Sequence, residues 1–282
     1  MGVLHLRRGL LDQAMEYLQN VLLDDPANEA ARFYLAACRL EREQFVEAIE
    51  ELKAVMRSRA FRAGAATLLG GLYIGQAETA KAIEQLEKCV AQFPWNQEAA
   101  AFLSCALRRQ GERRKAQALI DRVLARDPLH FLSLAEAWLL AGRSGAAARR
   151  LTEALRGEAQ SYLETACDYA RVGLFPEAYE ILSLYLEGRG EKRADAIACY
   201  HLAYYAEKLG RAEARALYRQ AQKADPAFVF PHRLESERVL RRALQRDPRD
   251  ARARYYLGNL LCSKGRTEEA IESWERARAG LK

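Results

Sequence analysis

The sequence predicts an all-α chain built as a solenoid of antiparallel helical hairpins, and three observations carry that prediction. The runs Leu-Asp-Gln-Ala14, Phe-Val-Glu-Ala48, Ala-Lys-Ala82 and Arg-Lys-Ala116 recur every 34 residues, a period that belongs to stacked two-helix units. The composition is that of a helix-rich protein. Half of the 282 residues are hydrophobic and 29% are charged, with only 7 Pro and 17 Gly, which is too apolar for a disordered chain. Finally, the repeat boundaries are marked twice. Pro26, Pro94, Pro128 and Pro248 cannot extend the helix before them, and Asn28, Asn96 and Asp250, two residues further on, can cap the next one.

The clearest copy runs from Ala63 to Asn96, and its residues resemble the tetratricopeptide repeat (TPR) pattern. Leu69-Gly70 stands at positions 7 and 8, Tyr73 at 11, Ala82 at 20, Leu86 at 24 and Pro94 at 32, with Cys89 replacing the small residue at 27. The resemblance implies a TPR-type α-solenoid, a right-handed superhelix in which Gly70 on helix A faces Ala82 on helix B. Projected backward, the register puts Met1 at position 7 and Gly2 at position 8 of a first repeat. The chain therefore starts inside a helix A and reads as a segment of a longer polypeptide, the alternative being a native start with a short first helix. The second repeat spans Glu29 to Arg62, with Ala36 and Ala48 at the small positions and Ala60 in place of the proline. The fourth spans Gln97 to His130, with Ser104, Ala116 and Pro128.

After His130 the register slips. A shortened hairpin holding Ala147 and Ala154 precedes one holding Ala166 and Ala178. A further hairpin starts near Asp195, with Leu202-Ala203 on its first helix and Ala221 and Pro226 closing its second. The apolar run Ala-Phe-Val-Phe-Pro231 reads as extended, and the helix from Arg233 to Gln245 has no partner of its own, a half-repeat. The last copy, from Ala251, restores the pattern with Leu257-Gly258, Ala270, Trp274 and Ala277, Gly258 facing Ala270. It ends without the polar capping helix that solenoids usually carry. Three stretches result: regular repeats over 1–130 with the first truncated, degenerate hairpins over 131–192, and C-terminal repeats over 193–282 with an extended insert near 227–232.

Roughly the last 90 residues carry a narrower resemblance. Tyr200-His-Leu-Ala-Tyr-Tyr, Phe-Val-Phe-Pro-His-Arg-Leu-Glu235, Ala-Arg-Tyr-Tyr-Leu-Gly-Asn-Leu-Leu261 and Trp274-Glu look like the C-terminal helical region of large bacterial proteins. In those, a β-rich, carbohydrate-enzyme-like domain precedes the TPR array. Nothing of that domain is present here, and no activity carries over.

Composition and motifs exclude several functions. The net charge of +6 comes from 44 basic and 38 acidic residues, and the Arg-rich stretches 108–115 and 241–254 are interleaved with Glu112, Asp247 and Asp250. Nucleic acid is therefore not the expected partner. The longest uncharged stretch, Ala63 to Ala77, is shorter than the roughly 20 residues that span a bilayer, so no membrane contact is expected. The opening Met-Gly-Val-Leu-His-Leu-Arg-Arg is the reverse of a secretory signal. Six scattered cysteines with no CxxC pair read as buried, reduced thiols of a cytoplasmic protein. Four histidines fall in unrelated repeats, and no nucleophile elbow, Walker loop or HExxH occurs. Cys199 and His201 stand two apart on a helix and point away from each other. No enzyme, metal or cofactor is expected.

The TPR resemblance places the binding groove on helices A, at positions 2, 5, 9, 12 and 13. In the second to fourth repeats these include Phe33, Ala37, Leu40, Thr67, Gly71, Ile74, Ala101, Cys105 and Arg108, a small-residue and apolar strip suited to an amphipathic helix or an extended apolar peptide. The Lys/Asn clamp with which some TPR proteins grip a C-terminal carboxylate is missing, because its positions hold Ala30, Phe33, Tyr34 and Ala37, or Glu98, Ala101, Phe102 and Cys105. Toward the C-terminus the groove positions become Tyr200, Tyr204, Glu207, Tyr255 and Asn259, joining apolar area to hydroxyl donors. Those tyrosines could equally pack against Phe228 to Pro231 inside the array. The expected function is a protein-interaction scaffold that binds a peptide or helix in the groove. The alternative is a spacer or dimerisation arm of a larger multidomain bacterial protein, self-associating through uncapped ends at Trp274 and Leu281.

Overall fold

The computed structural model describes residues 1–187, 194–224 and 229–280. Among these the chain forms seventeen α-helices and no strand, and the fold is an α-solenoid. The helices α1 (Gly2–Arg7) and α2 (Leu11–Asp24) come first, and antiparallel hairpins follow: α3 (Glu29–Glu41) with α4 (Phe45–Ala54), α5 (Arg62–Gly75) with α6 (Thr79–Gln92), and α7 (Gln97–Arg109) with α8 (Arg113–Arg126). The slipped region forms the hairpin α9 (Phe131–Leu140) with α10 (Gly145–Leu155), followed by α11 (Ala159–Ala170) and α12 (Phe175–Leu186). Then follow α13 (Ala196–Lys208) with α14 (Ala214–Lys223), the single helix α15 (Glu235–Arg246), and α16 (Ala251–Ser263) with α17 (Thr267–Gly280).

The boundary residues act as the sequence predicts. Asn28, Asn96 and Asp250 accept from the backbone N–H of Ala31, Ala99 and Ala253 at 2.9, 3.0 and 2.9 Å. Each such cap contributes about 1 kcal/mol. Asp195 caps α13 through Ala198 N–H in the same way at 3.0 Å. The helices before Pro26, Pro94, Pro128 and Pro248 stop two residues short of each proline.

Contacts within hairpins refine the packing rule. A Cβ at Gly70 would overlap the Leu86 side chain, and one at Gly258 would overlap the Trp274 indole. The atoms nearest the bare position 8 thus belong to the large residue at position 24, while Ala82 and Ala270 at position 20 are fully buried. In the fourth repeat, where position 8 is Ser104, its Oγ donates to the carbonyl of Ala116 at position 20, 3.3 Å away.

Two compact units result. One, unit 1, gathers residues 1–14, 162–167 and 175 onward. The other, unit 2, gathers 15–161 and 168–174. In unit 2 the A helices α5, α7 and α9 lie side by side, over a core that includes Leu35, Leu52, Leu86, Phe102 and Ile120. In unit 1, α13 is buried at every residue from Ala196 to Ala206, and α15 packs on α13 and α16 without a helix A of its own. The segment 229–233 before α15 carries no helix, with Val229 and Pro231 buried and Phe230 exposed. Ala227 and Phe228, the first two residues of the expected extended run, lie outside the described residues, as do Pro226 and Leu281.

Candidate polypeptide-binding surface

The helix-A face of unit 2 is occupied. The turn that follows α11, with its last helical residues, lies across it. Val172 is buried against α5, where a Cβ on Gly71 would come within 3.0 Å of its methyl groups and one on Gly75 would overlap its carbonyl oxygen. Gly173 has φ +81°, a left-handed conformation that glycine adopts without strain, and faces the Phe45 ring. Arg171 donates to Glu98 at 2.6 Å, and Tyr169 Oη donates to Glu136 at 2.7 Å. Glu136 is fully buried and also accepts from Arg108 at 2.9 and 3.2 Å. Burial and the neighbouring Glu136 charge push the Tyr169 phenol well above its usual range.

That arrangement decides where the expected groove residues stand. Leu40, Thr67, Ile74 and Ala101 are buried and present no free surface. Thr67 Oγ1 donates to the Ala63 carbonyl at 2.9 Å and accepts from Asn96 Nδ2 at 2.8 Å, so it serves the repeat boundary. Ile74 offers only its carbonyl, to Arg109 at 3.3 Å. Arg108 is turned onto Glu136. Phe33 and Ala37 are half-buried, Phe33 stacked on Phe61 with ring centroids 4.8 Å apart.

In unit 1 the expected tyrosine cluster divides. Tyr200 is a core residue, its hydroxyl donating to the Asp250 carboxylate at 2.8 and 3.0 Å. Burial and then the Asp250 charge raise its phenol far above the ordinary value. Tyr204 is buried too, with the Lys208 ammonium 5.3 Å from its ring centroid. Glu207 takes Arg242, Arg246 and Tyr218 at once. Burial opposes its ionisation, but those hydrogen bonds outweigh it and hold the carboxyl below its usual range. Tyr255 alone of the cluster is well exposed, at 42%, its ring edge-on to Tyr256 with centroids 5.6 Å apart. Asn259 beside it is half-buried. Its Oδ1 accepts from Trp274 Nε1 at 3.1 Å, and its Nδ2 is buried with no hydrogen-bond partner among the described residues. Trp274, expected as a contact between copies, is engaged within its own hairpin.

The profile of the family described as Tetratricopeptide repeat matches residues 5–72, 73–137 and 233–280. The chain belongs to that family. No curated protein matches it. Among solved structures, this TPR chain is similar to the human IFIT1 dimer with m7Gppp-AAAA, at 18% identity over 96% of this chain and 68% of that one, TM-score 0.44. It is also similar to PilW, a type IV pilus biogenesis factor, at 19% identity over 85% and 94%, TM-score 0.43. A tetratricopeptide repeat protein from Parabacteroides merdae matches at 18% identity over 89% and 98%, TM-score 0.41.

TPR arrays as a class serve protein interaction, and among the described residues no helix is long and apolar enough to cross a membrane. Five of the six cysteines are buried, while Cys262 is exposed. Glu136, Tyr169, Arg171 and Val172, which lie on this face with Glu98, were not among the expected groove residues. The only local signal for them was the pair Gly71 and Gly75, which stand bare on helix A beside the repeat's own packing glycine, Gly70.

Proposed function

We propose that this TPR chain is a protein-interaction scaffold that takes a segment of a partner polypeptide on its helix-A faces, and that it acts by binding and not by catalysis. The observation that supports this is the seating of residues 168–174 in unit 2. A face that holds a stretch of polypeptide through a small-residue notch, an ion pair and a buried tyrosine hydrogen bond has the chemistry of a peptide site. In unit 1 the accessible counterpart is the α16 surface at Tyr255, an exposed aromatic ring with a hydroxyl, next to the half-buried Asn259. Cysteines scattered without CxxC spacing favour the cytoplasm as its compartment.

The test is selection of displayed peptides on the full chain, followed by titration of the recovered peptides against wild type, Tyr255→Ala and Asn259→Ala. Tyr255→Ala is expected to weaken binding by about tenfold or more, the effect of removing an interfacial aromatic anchor. A selection that recovers no peptide, or peptides indifferent to both substitutions, rejects the reading.

A further inference from the structure

We propose that residues 168–174 are an internal pseudo-ligand: a displaceable occupant that closes the helix-A face of unit 2 against a partner polypeptide presenting the same chemistry, an arginine followed directly by a β-branched apolar residue and a glycine. This deepens the scaffold reading and rests on it.

The seat is shaped for that pattern and for little else. Gly71 and Gly75 leave α5 bare where Val172 and its carbonyl lie, so an occupant's backbone comes down onto the helix itself. Val172 fits closely against this notch, since an added Cβ at Gly71 would come within 3.0 Å of its methyls. Gly173, in its left-handed conformation, turns the chain away over Phe45. Glu98 supplies a carboxylate for the cation ahead of the apolar residue.

The hold has the marks of an occupant that can be exchanged. Only seven consecutive residues of this part of the chain join unit 2. The Arg171–Glu98 pair is about one-third exposed on both sides, open to competition by water and salt. Arg171 Nε is buried with no hydrogen-bond partner among the described residues, so the internal segment satisfies its seat incompletely, and a partner arginine that places all its donors would displace it. The buried Tyr169–Glu136 bond lies on the helical side of the turn and sets the hinge from which residues 171–174 swing.

The experiment uses the full chain and a fluorescent peptide of residues 168–175. The release variant Arg171→Glu/Val172→Asp repels Glu98 and sets a carboxylate against the notch. It is expected to bind the peptide at least about tenfold more tightly than wild type does, which is about 1.4 kcal/mol. Adding Glu98→Arg to the release variant should abolish that gain, and a peptide with Glu at the arginine position should restore it. Equal binding by wild type and the release variant, or no binding by either, overturns the proposal. Should the release variant unfold, hydrogen exchange on wild type decides. Amides of 171–174 exchanging at least about tenfold faster than those of α5 and α7 support a turn that opens locally, and exchange at the rate of α5 and α7 overturns it. Peptide binding at Tyr255 is measured separately, so loss of the pseudo-ligand with that binding intact leaves the scaffold reading standing.

Discussion

At the scale of single residues, the repeat pattern is a set of exclusions. Gly70 and Gly258 are bare because Leu86 and Trp274 take the space a Cβ would need. A Gly70→Ala substitution gains about 1 kcal/mol of helix propensity but forces a fully buried Leu86 off its site. Overpacking costs of about 1–3 kcal/mol should outweigh the gain. We expect a net loss of up to about 2 kcal/mol in a chemical-denaturation titration, and a double-mutant cycle with Leu86→Ala should show strong coupling. No coupling would mean that Leu86 is not what the glycine makes room for. Gly70 was legible because it falls on the 34-residue period, and Gly258 because it takes the same place in a copy restored after the register slips; the side chains that press on them were not, since spacing reports which residues must be small and not what fills the space beside them. Tyr200 shows the same limit. A tyrosine at a groove position has the sequence signature of a recognition residue, yet Asp250 binds its hydroxyl in the core while also capping α16 and accepting from Gln222 at 3.1 Å. Asp250→Ala removes cap and acceptor together and should cost about 2–4 kcal/mol. Asp250→Asn, which keeps an oxygen for both, should cost clearly less by the same thermal-unfolding measurement.

At the scale of elements, the helices and their caps were readable almost throughout, because proline, capping side chain and apolar period agree at each boundary. One was not. The turn 171–174 has no period of its own, and its partners sit 70 to 130 residues away in sequence. Helix α13 was expected from Asp195 onward, but it is buried from Ala196 to Ala206, so the groove face expected on it is core. Within α13, His201 is fully buried, with Nδ1 3.1 Å from the Tyr205 hydroxyl and Nε2 3.0 Å from Ser236 Oγ. Burial, working against the nearby Glu235, pushes its pKa down to about 3. The folded chain therefore keeps His201 neutral at pH values where the unfolded chain, with an ordinary pKa near 6.5, takes up a proton. Stability from this group is complete above pH 6.5 and is lost as pH falls from 6.5 toward 3. The slope approaches about 1.4 kcal/mol per pH unit. His201→Gln should flatten the stability curve over that window by up to this amount when unfolding is followed by circular dichroism, and an unchanged slope would show that His201 titrates normally in the fold.

At the scale of the whole molecule, a solenoid is expected to be nearly one-dimensional, each hairpin stabilised by its sequence neighbours. Unit 1 departs from that, since it joins residues 1–14 to the C-terminal helices. Arg8 Nη2 donates to the Gly265 carbonyl at 2.9 Å, and Gly9, with φ +73°, lies so close to Leu234 and Glu237 that an added Cβ would stand 3.1 Å from each. Arg266 is the centre of this contact. Its guanidinium binds Glu237 and Glu269 at 2.7 Å and reaches the Gly9 carbonyl at 3.4 Å. Nothing in a repeat pattern could announce such a contact, because the pattern describes neighbours 34 residues apart and this one links residues 257 apart. Two consequences separate it from a nearest-neighbour array. Arg266→Ala strips a nearly buried cation from two carboxylates and should destabilise the chain by about 2–3 kcal/mol. Removal of residues 1–9, which touches no residue of the last hairpin's own sequence neighbourhood, should speed hydrogen exchange in α16 and α17 while leaving α5 to α8 unchanged. In a nearest-neighbour array the same truncation would loosen only α2 and the hairpin that follows it. Faster exchange confined to α2–α4 would therefore show that the first residues contribute nothing to the C-terminal repeats.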